Sequence, residues 1–504
     1  MAEQRRGTRR RLSAAACRAL VITLAALALS AAAMPSVRAA SRAARTGNDT
    51  IRTSLTATMK ALRAFQQAAD ASDGSRAPGS AGFRLSQRYL ASQLRRAGYD
   101  VYTKPFHFWY TATLAATLTT EPGGQPQTIQ AINFTPSTPV AGIAGPVAAL
   151  PAARQDGCAA SAFSGRSYRG DLVLIERGGC TFSRKQQLAA RAGASAALIY
   201  NDQPGPLNGS LSNRHDGRIP TAALTQSQGL ALRAILANWP VDMRLRLRQY
   251  IQWRLSSNLF AQTRWGSAAS VFMMGAHLDS WPRSPGINSD ATGSAIELQV
   301  ALALARSSLR SAHMIRFSWF SADEWGQAGS LAYVQSLSAR QLADITGFID
   351  LEKLGSPNYI RGYLTSRAGG APDSGRLAAA LRAGLSDQGR LPVEGVSLAN
   401  PGAPGDWVAF YEAGVPFGGL YSGGEGSKTP TEAAAFGGRV GVAYDPCHHL
   451  ACDDLANINT TILGDNLRAA AYALGVLMKL SPSQTAGPAV RRPAKPTLGN
   501  VAVT

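Results

Sequence analysis

Histidine and cysteine are both scarce in this chain, six and five among 504 residues. No two cysteines make a CxxC pair, which removes the zinc modules built on such pairs. Charged residues make up 16% and hydrophobic residues 45%, a balance that a disordered chain does not have. No G-x-S-x-G elbow is present, so nothing supports a serine hydrolase. After the N-terminal region no apolar run approaches the ~20 residues that span a bilayer. Acidic residues are the minority, 31 against 51 Lys and Arg, and the net charge is +20. The Arg residues are scattered, without a basic helix or a basic stripe interleaved with aromatics, so no nucleic-acid partner is expected. Weak attraction to anionic cell-surface polymers fits the charge. The length predicts two or three domains, at roughly 100–200 residues each.

What is present begins with an export signal. Arg5, Arg6, Arg9, Arg10 and Arg11 form a basic start, an apolar run follows from Ala19 to Ala33, and Val37-Arg38-Ala39 offers a small-x-small cleavage pattern. Residues 1–39 therefore read as a signal peptide, and the mature protein as secreted or periplasmic. Thr8 to Leu12 also resembles a twin-arginine signal. An uncleaved anchor is the alternative, although the run is short for a span, and no stable membrane insertion is expected once the signal is removed. The segment carries seven Arg and one Glu, which leaves +14 on the remainder. Cys17 departs with it. Cys158, Cys180, Cys447 and Cys452 remain, an even number in an oxidising compartment. Proximity pairs Cys158 with Cys180 and Cys447 with Cys452; metal ligation is the competing reading.

Composition and periodicity divide the rest. Residues 40–57 are Ala/Arg/Thr-rich and expected to be flexible. Residues 58–138 open a folded domain: Leu62, Phe65 and Ala69 share one helical face, Leu90, Leu94 and Ala97 another, with a loop at 74–80 between them. Val101 to Tyr110 alternates like a strand. Residues 139–250 form a second unit, with strands at Leu172–Ile175 and Ala196–Asn201 around an Arg177-Gly178-Gly179-Cys180 turn and a helix from Lys185 to Ala192. This unit resembles the protease-associated domain, a small β-rich insert of exported peptidases that carries recognition and no chemistry. Residues 256–480 alternate apolar strand-like runs with helical segments, the α/β pattern. The tail, 481–504, is Pro- and Lys/Arg-bearing and expected to be disordered.

The chemistry collects behind the strands of that third unit. Apolar runs end at Ala276-His277-Leu278-Asp279-Ser280, at Ser321-Ala322-Asp323-Glu324 and at Leu351-Glu352-Lys353, and a late loop holds Asp445-Pro446-Cys447-His448-His449. In a mostly parallel sheet, strand C-termini converge on the ligand crevice. Three of the six His lie in these segments, and mixed His and carboxylate ligands suit zinc.

These motifs, with LGSPN at 354–358 and DPCHHLACDDLANIN at 445–459, resemble the co-catalytic zinc aminopeptidases, the family that includes aminopeptidase Y and glutamate carboxypeptidase. The resemblance implies a three-layer α/β/α domain with a mostly parallel central sheet, two zinc ions and peptide substrates. Residue by residue, His277 falls on the His of one zinc, Glu324 and His449 on the ligands of the other, and Glu352 on the last ligand, usually Asp. Asp279 falls on the carboxylate that orients the first His, and Asp406 on a supporting carboxylate. Asp323 stands where the family has a Glu base, one methylene longer. His448 stands where some members have a Tyr that polarises the scissile carbonyl. Ser289 occupies the position of the bridging Asp, with Asp290 beside it, and Trp407 replaces a His. Two outcomes follow: an active zinc exopeptidase, expected to be an aminopeptidase, or an impaired homologue that binds peptides because Ser289 cannot bridge two cations.

Overall fold

The computed structural model describes residues 51–364, 374–386 and 405–481, four single positions between 206 and 213 excepted, with the backbone of Val393–Glu394 and Val501–Ala502. The export signal lies outside these residues. So does the expected disordered tail, apart from Ser481 and the Val501–Ala502 pair, which bonds to the first long strand.

Helix α1 (Leu55–Asp70) starts three residues ahead of the expected boundary at 58. Ser54 fixes the start, since its hydroxyl accepts a hydrogen bond from the Ala57 N–H. Ser80 does the same for α2 (Ala81–Arg96). Leu62, Phe65, Ala69, Leu90 and Leu94 are all buried, as their spacing predicts. Strand β1 (Asp100–Glu121) is twice as long as the alternation at 101–110 suggests.

The second unit holds β2 (Ile143–Ala149), β3 (Leu172–Glu176), α3 (Phe182–Arg191), β4 (Ala196–Tyr200), β5 (Thr221–Leu224) and α4 (Gln226–Leu236). Its four strands run parallel in the order β2-β3-β4-β5. Every residue of β4 and β5 is buried, as suits parallel strands covered on both faces. Cys158 and Cys180 form a disulfide, as do Cys447 and Cys452 further along.

Strand β6 (Asp242–Gln262) then pairs antiparallel with β1 along nearly its whole length, from Asp100↔Gln262 to Glu121↔Asp242. Its first residues also pair with β2 and its last with the sheet of the third unit. One continuous ribbon thus belongs to both sheets and ties the insert to the domain that carries the site.

The third unit comprises β7 (Ser267–His277), α5 (Thr292–Arg306), β8 (His313–Phe320), α6 (Ala328–Ser336), β9 (Ile345–Glu352), β10 (Gly362–Leu364), α7 (Ser374–Ser386), α8 (Trp407–Glu412), β11 (Phe417–Tyr421) and α9 (Thr460–Leu477). The order is β10-β11-β9-β7-β8-β6, with β11, β9, β7 and β8 parallel and β10 and β6 antiparallel to them; Val393–Glu394 pairs outside β10. Alternate residues of β7 face opposite cores. Phe272, Met274 and Ala276 join α1, α2, α5, α7 and α9 on one side, while Val271 and Met273 join α6 and α8 on the other. The layers are therefore α/β/α, as expected. Chain reversal places the C-termini of β7, β8 and β9 on one rim, and His277, Asp323, Glu324 and Glu352 with them.

Candidate metal centre

His277 is the last residue of β7 and is fully buried. Its Nδ1 lies 3.0 Å from the backbone carbonyl of Asp279. A carbonyl only accepts, so Nδ1 carries a proton and, when the ring is neutral, the lone pair sits on Nε2. Nε2 faces Asp323 Oδ2 at 3.8 Å and Glu352 Oε1 at 3.9 Å. The expected orienting role of Asp279 thus falls to its carbonyl oxygen. Its carboxylate stands 3.6 Å from Nδ1 and instead accepts from the N–H groups of Asp323 and Glu324, holding that turn against the end of β7.

Asp323 and Glu324, adjacent in sequence, part company in space. Asp323 joins His277 and Glu352, whereas Glu324 Oε2 lies 2.8 Å from His449 Nε2. Ala322, at φ +60°, turns the chain into this pair. His449, at φ +61°, stacks on Trp281 with ring centroids 5.1 Å apart. His448 is buried against His449, at 3.7 Å between centroids, and both its ring nitrogens lack a hydrogen-bond partner.

At the expected bridging position, the Ser289 N–H donates to Asp453 Oδ2 at 3.2 Å, and its Oγ is buried without a partner. Asp290 is held through Oδ1, which accepts from the N–H groups of Gly293 and Lys353, both at 3.0 Å. Its Oδ2 is buried and unpartnered. Asp406 is buried within ligand distance of Asp350 and Glu352.

The charges of this centre are uneven. Burial pushes Asp323 up to about 8, with Glu352 and Glu324 adding to the shift and His277 opposing it. Burial and Glu352 raise Asp290 well above the carboxylate range. Burial also raises Glu324, but the His449 ion pair outweighs it and brings the group down to about 2. Burial opposes a charge on His277, yet Asp323 and Glu352 hold its pKa well above the ordinary value. Burial and the neighbouring His449 keep His448 neutral.

A divalent cation fits this set. Nε2 of His277, Oε1 of Glu352, Oδ1 of Asp323 and Oδ2 of Asp290 are all buried without a hydrogen-bond partner, and such atoms are costly unless an ion satisfies them. Tetrahedral zinc, bonded at about 2.0–2.2 Å, spaces its ligand atoms by about 3.3–3.6 Å. His277 Nε2 stands 3.8 Å from Oδ2 of Asp323, the other oxygen of that carboxylate, and 3.9 Å from Oε1 of Glu352, edges only slightly wider.

Residues that sequence reasoning missed support the rim. Arg76, fully buried between α1 and α2, donates to the carbonyls of Leu278, Pro285 and Gly286 and binds the Ser280 hydroxyl through its own N–H. It pins the single loop, residues 278–286, that follows His277. Its one signal was its charge, unique in the stretch from Gly74 to Ser80. Asn288 binds Asp445 at 2.7 Å and Ser356 at 3.0 Å. Glu425 lies within ligand distance of His448 and His449, and Arg177 of the inserted unit approaches it to 3.5 Å.

A parallel sheet with a His/carboxylate rim and a second, inserted unit defines a metal-dependent α/β hydrolase. Residues 258–474 match peptidase family M28, and residues 143–232 match the PA domain. The chain is 34% identical over 434 residues to the probable lipoprotein aminopeptidase LpqL of Mycobacterium tuberculosis, covering 84% of this chain and 85% of that one. It is 32% identical over 403 residues to leucine aminopeptidase 2 of Trichophyton rubrum, covering 79% and 78%. The chain belongs to peptidase family M28. Its fold is shared with the aminopeptidase of Aneurinibacillus sp. strain AM-1 (TM-score 0.66, 24% identity, 85% and 94% covered) and with a zinc aminopeptidase of Bacillus subtilis (TM-score 0.61, 24% identity, 86% and 98% covered). Among the described residues no helix is long and apolar enough to cross a membrane.

Proposed function

We propose that this protein is an exported zinc aminopeptidase that removes residues from the free amino ends of peptides. The observation that carries the reading is the set of unpartnered, buried ligand atoms that His277, Asp323 and Glu352 present to one another at the strand rim. The names of the M28 relatives support the reaction, and the name of the mycobacterial one supports export. Zinc bound there supplies a Lewis acid that polarises a peptide carbonyl and makes a water acidic near neutral pH.

The chain's own groups do the rest. Asp323 faces His277 through Oδ2, and its other oxygen, Oδ1, is buried and unpartnered; that oxygen takes the proton of the attacking water and returns it to the leaving amine. Neutral His448 donates an N–H to the oxygen that becomes negative. Glu324, ionised beside His449, gives the rim the negative charge that attracts a substrate ammonium. Asp279 holds the Asp323–Glu324 turn, and Asp406 backs Glu352. The PA unit, bonded to the rim through Arg177, bounds the approach of the peptide.

Zinc content and turnover of a panel of amino-acyl chromogenic amides test this reading. Turnover that requires zinc and disappears in Glu324→Gln and His449→Ala is the expected result. The second reading, a peptide-binding homologue without turnover, is favoured by one observation, the neutral Ser289 at the bridging position. Peptide binding by calorimetry with no hydrolysis of any amide establishes it in place of the first.

A further inference from the structure

Two side chains at this centre change its charge in the same direction. Ser289 is neutral where the family resemblance calls for a bridging Asp. Lys353 directs an ammonium into the carboxylates: Nζ donates to Glu352 Oε2 at 2.7 Å, and the side chain is only 13% exposed. A lost negative charge and a gained positive one sum to two units, the charge of one zinc ion.

The backbone around Lys353 is arranged to admit it. Its φ of +53° lies in the left-handed region, uncommon without glycine, and turns the side chains of Glu352 and Lys353 toward each other. Its N–H is anchored on Asp290 Oδ1 at 3.0 Å. Its aliphatic stem runs past Gly424, where a Cβ would stand 3.0 Å from Lys353 Cδ. A side chain at 424 would crowd that stem. Glu352 is divided between two tasks. Oε2 takes the ammonium, while Oε1 is left buried, unpartnered and turned to His277 Nε2 at 3.9 Å.

We propose that the Lys353 ammonium is the resident second cation of this centre, so that the chain binds a single zinc at His277, Asp323 and Glu352. Ser289 and Lys353 then belong together. With Ser289, no carboxylate stands at the bridging position, and the ammonium satisfies the carboxylate charge that a second ion otherwise neutralises. Glu324 and His449 keep each other as an ion pair beside the single metal. The assignment rests on the zinc-centre reading above.

Zinc per chain tests it, measured by plasma mass spectrometry on the whole purified protein after equilibration with excess zinc and gel filtration. One zinc is expected in the wild type and in Lys353→Arg, and two in the double variant Ser289→Asp with Lys353→Met. Chelator competition should show zinc held at least ~tenfold more tightly in Lys353→Met, because a positive charge beside the ion is gone. Two zincs in the wild type overturn the assignment and leave the zinc-centre reading standing; no zinc in any form overturns both. A double variant that melts cooperatively yet takes one zinc also overturns it. If the double variant does not fold, Lys353→Met alone decides, and unchanged affinity there is the contrary result.

Discussion

At the residue scale, the centre stores an electrostatic conflict that a cation resolves. Asp323 has a folded pKa of about 8, against about 3.9 in an unfolded chain. Between those values the folded apo-protein binds a proton that the unfolded chain does not. Its contribution is therefore complete below about 4 and is lost as pH rises through about 8. The melting temperature of the chelator-treated protein should fall over that window, and the gain on adding zinc should grow with it. A zinc-induced shift that stays constant from pH 5 to 8 contradicts this account. Arg76 is the other residue on which the rim depends. Arg76→Met leaves three buried carbonyls without a donor, and a buried polar group left unsatisfied costs about 1–3 kcal/mol. Urea denaturation should show that loss, together with weakened zinc binding, while Arg76→Lys should fall between.

At the element scale, the Asp323–Glu324 turn is placed by close packing of α6 beneath it. Gly329 sits so near the end of β8 that a Cβ there would stand 2.2 Å from the Ser321 carbonyl oxygen and 2.5 Å from Asn258 Oδ1. Gly329→Ala should cost about 1–3 kcal/mol by overpacking and should reduce turnover by moving the turn. Gly475, inside α9, has open space where its Cβ would be. Gly475→Ala should instead stabilise by about 0.5–1 kcal/mol through helix propensity, with turnover unchanged. Thermal melts of the two variants separate packing from propensity.

At the scale of the whole molecule, the ribbon of β1 and β6 carries the PA unit on the peptidase sheet, and Arg177 extends it to the rim. That guanidinium donates to Asn201 Oδ1 at 3.0 Å within its own unit and approaches Glu425 at 3.5 Å across the boundary. A partly exposed ion pair is worth little to stability. Arg177→Ala should therefore leave the melting temperature nearly unchanged. It should raise KM for peptides about two- to fivefold, in line with the size of such pairs, with kcat nearly constant. A change in kcat at constant KM would show that the insert acts on the chemistry and not on approach.

Most of the fold was legible along the chain, because helical faces such as Leu62/Phe65/Ala69 and buried strands such as Leu172–Ile175 are local patterns set by side-chain periodicity. His277, Glu352, Glu324 and His449 stood out as candidates because each follows an apolar strand or lies in a dense motif. By itself the sequence determined the α/β class, the inserted unit, the two disulfide pairs by proximity, and the chemical kind of the rim. Only the tertiary structure decided how those groups divide. It set Asp323 beside His277 while its neighbour Glu324 went to His449, gave the orienting role to the Asp279 carbonyl, brought Arg76 under the loop after His277 and turned Lys353 onto Glu352. These depend on backbone turns at Ala322, Lys353 and His449 and on contacts across about 200 residues, such as Arg76 with Pro285. Periodicity records which face a residue shares with its neighbours in sequence. Which distant carboxylate meets which cation is settled by packing and charge in the folded chain.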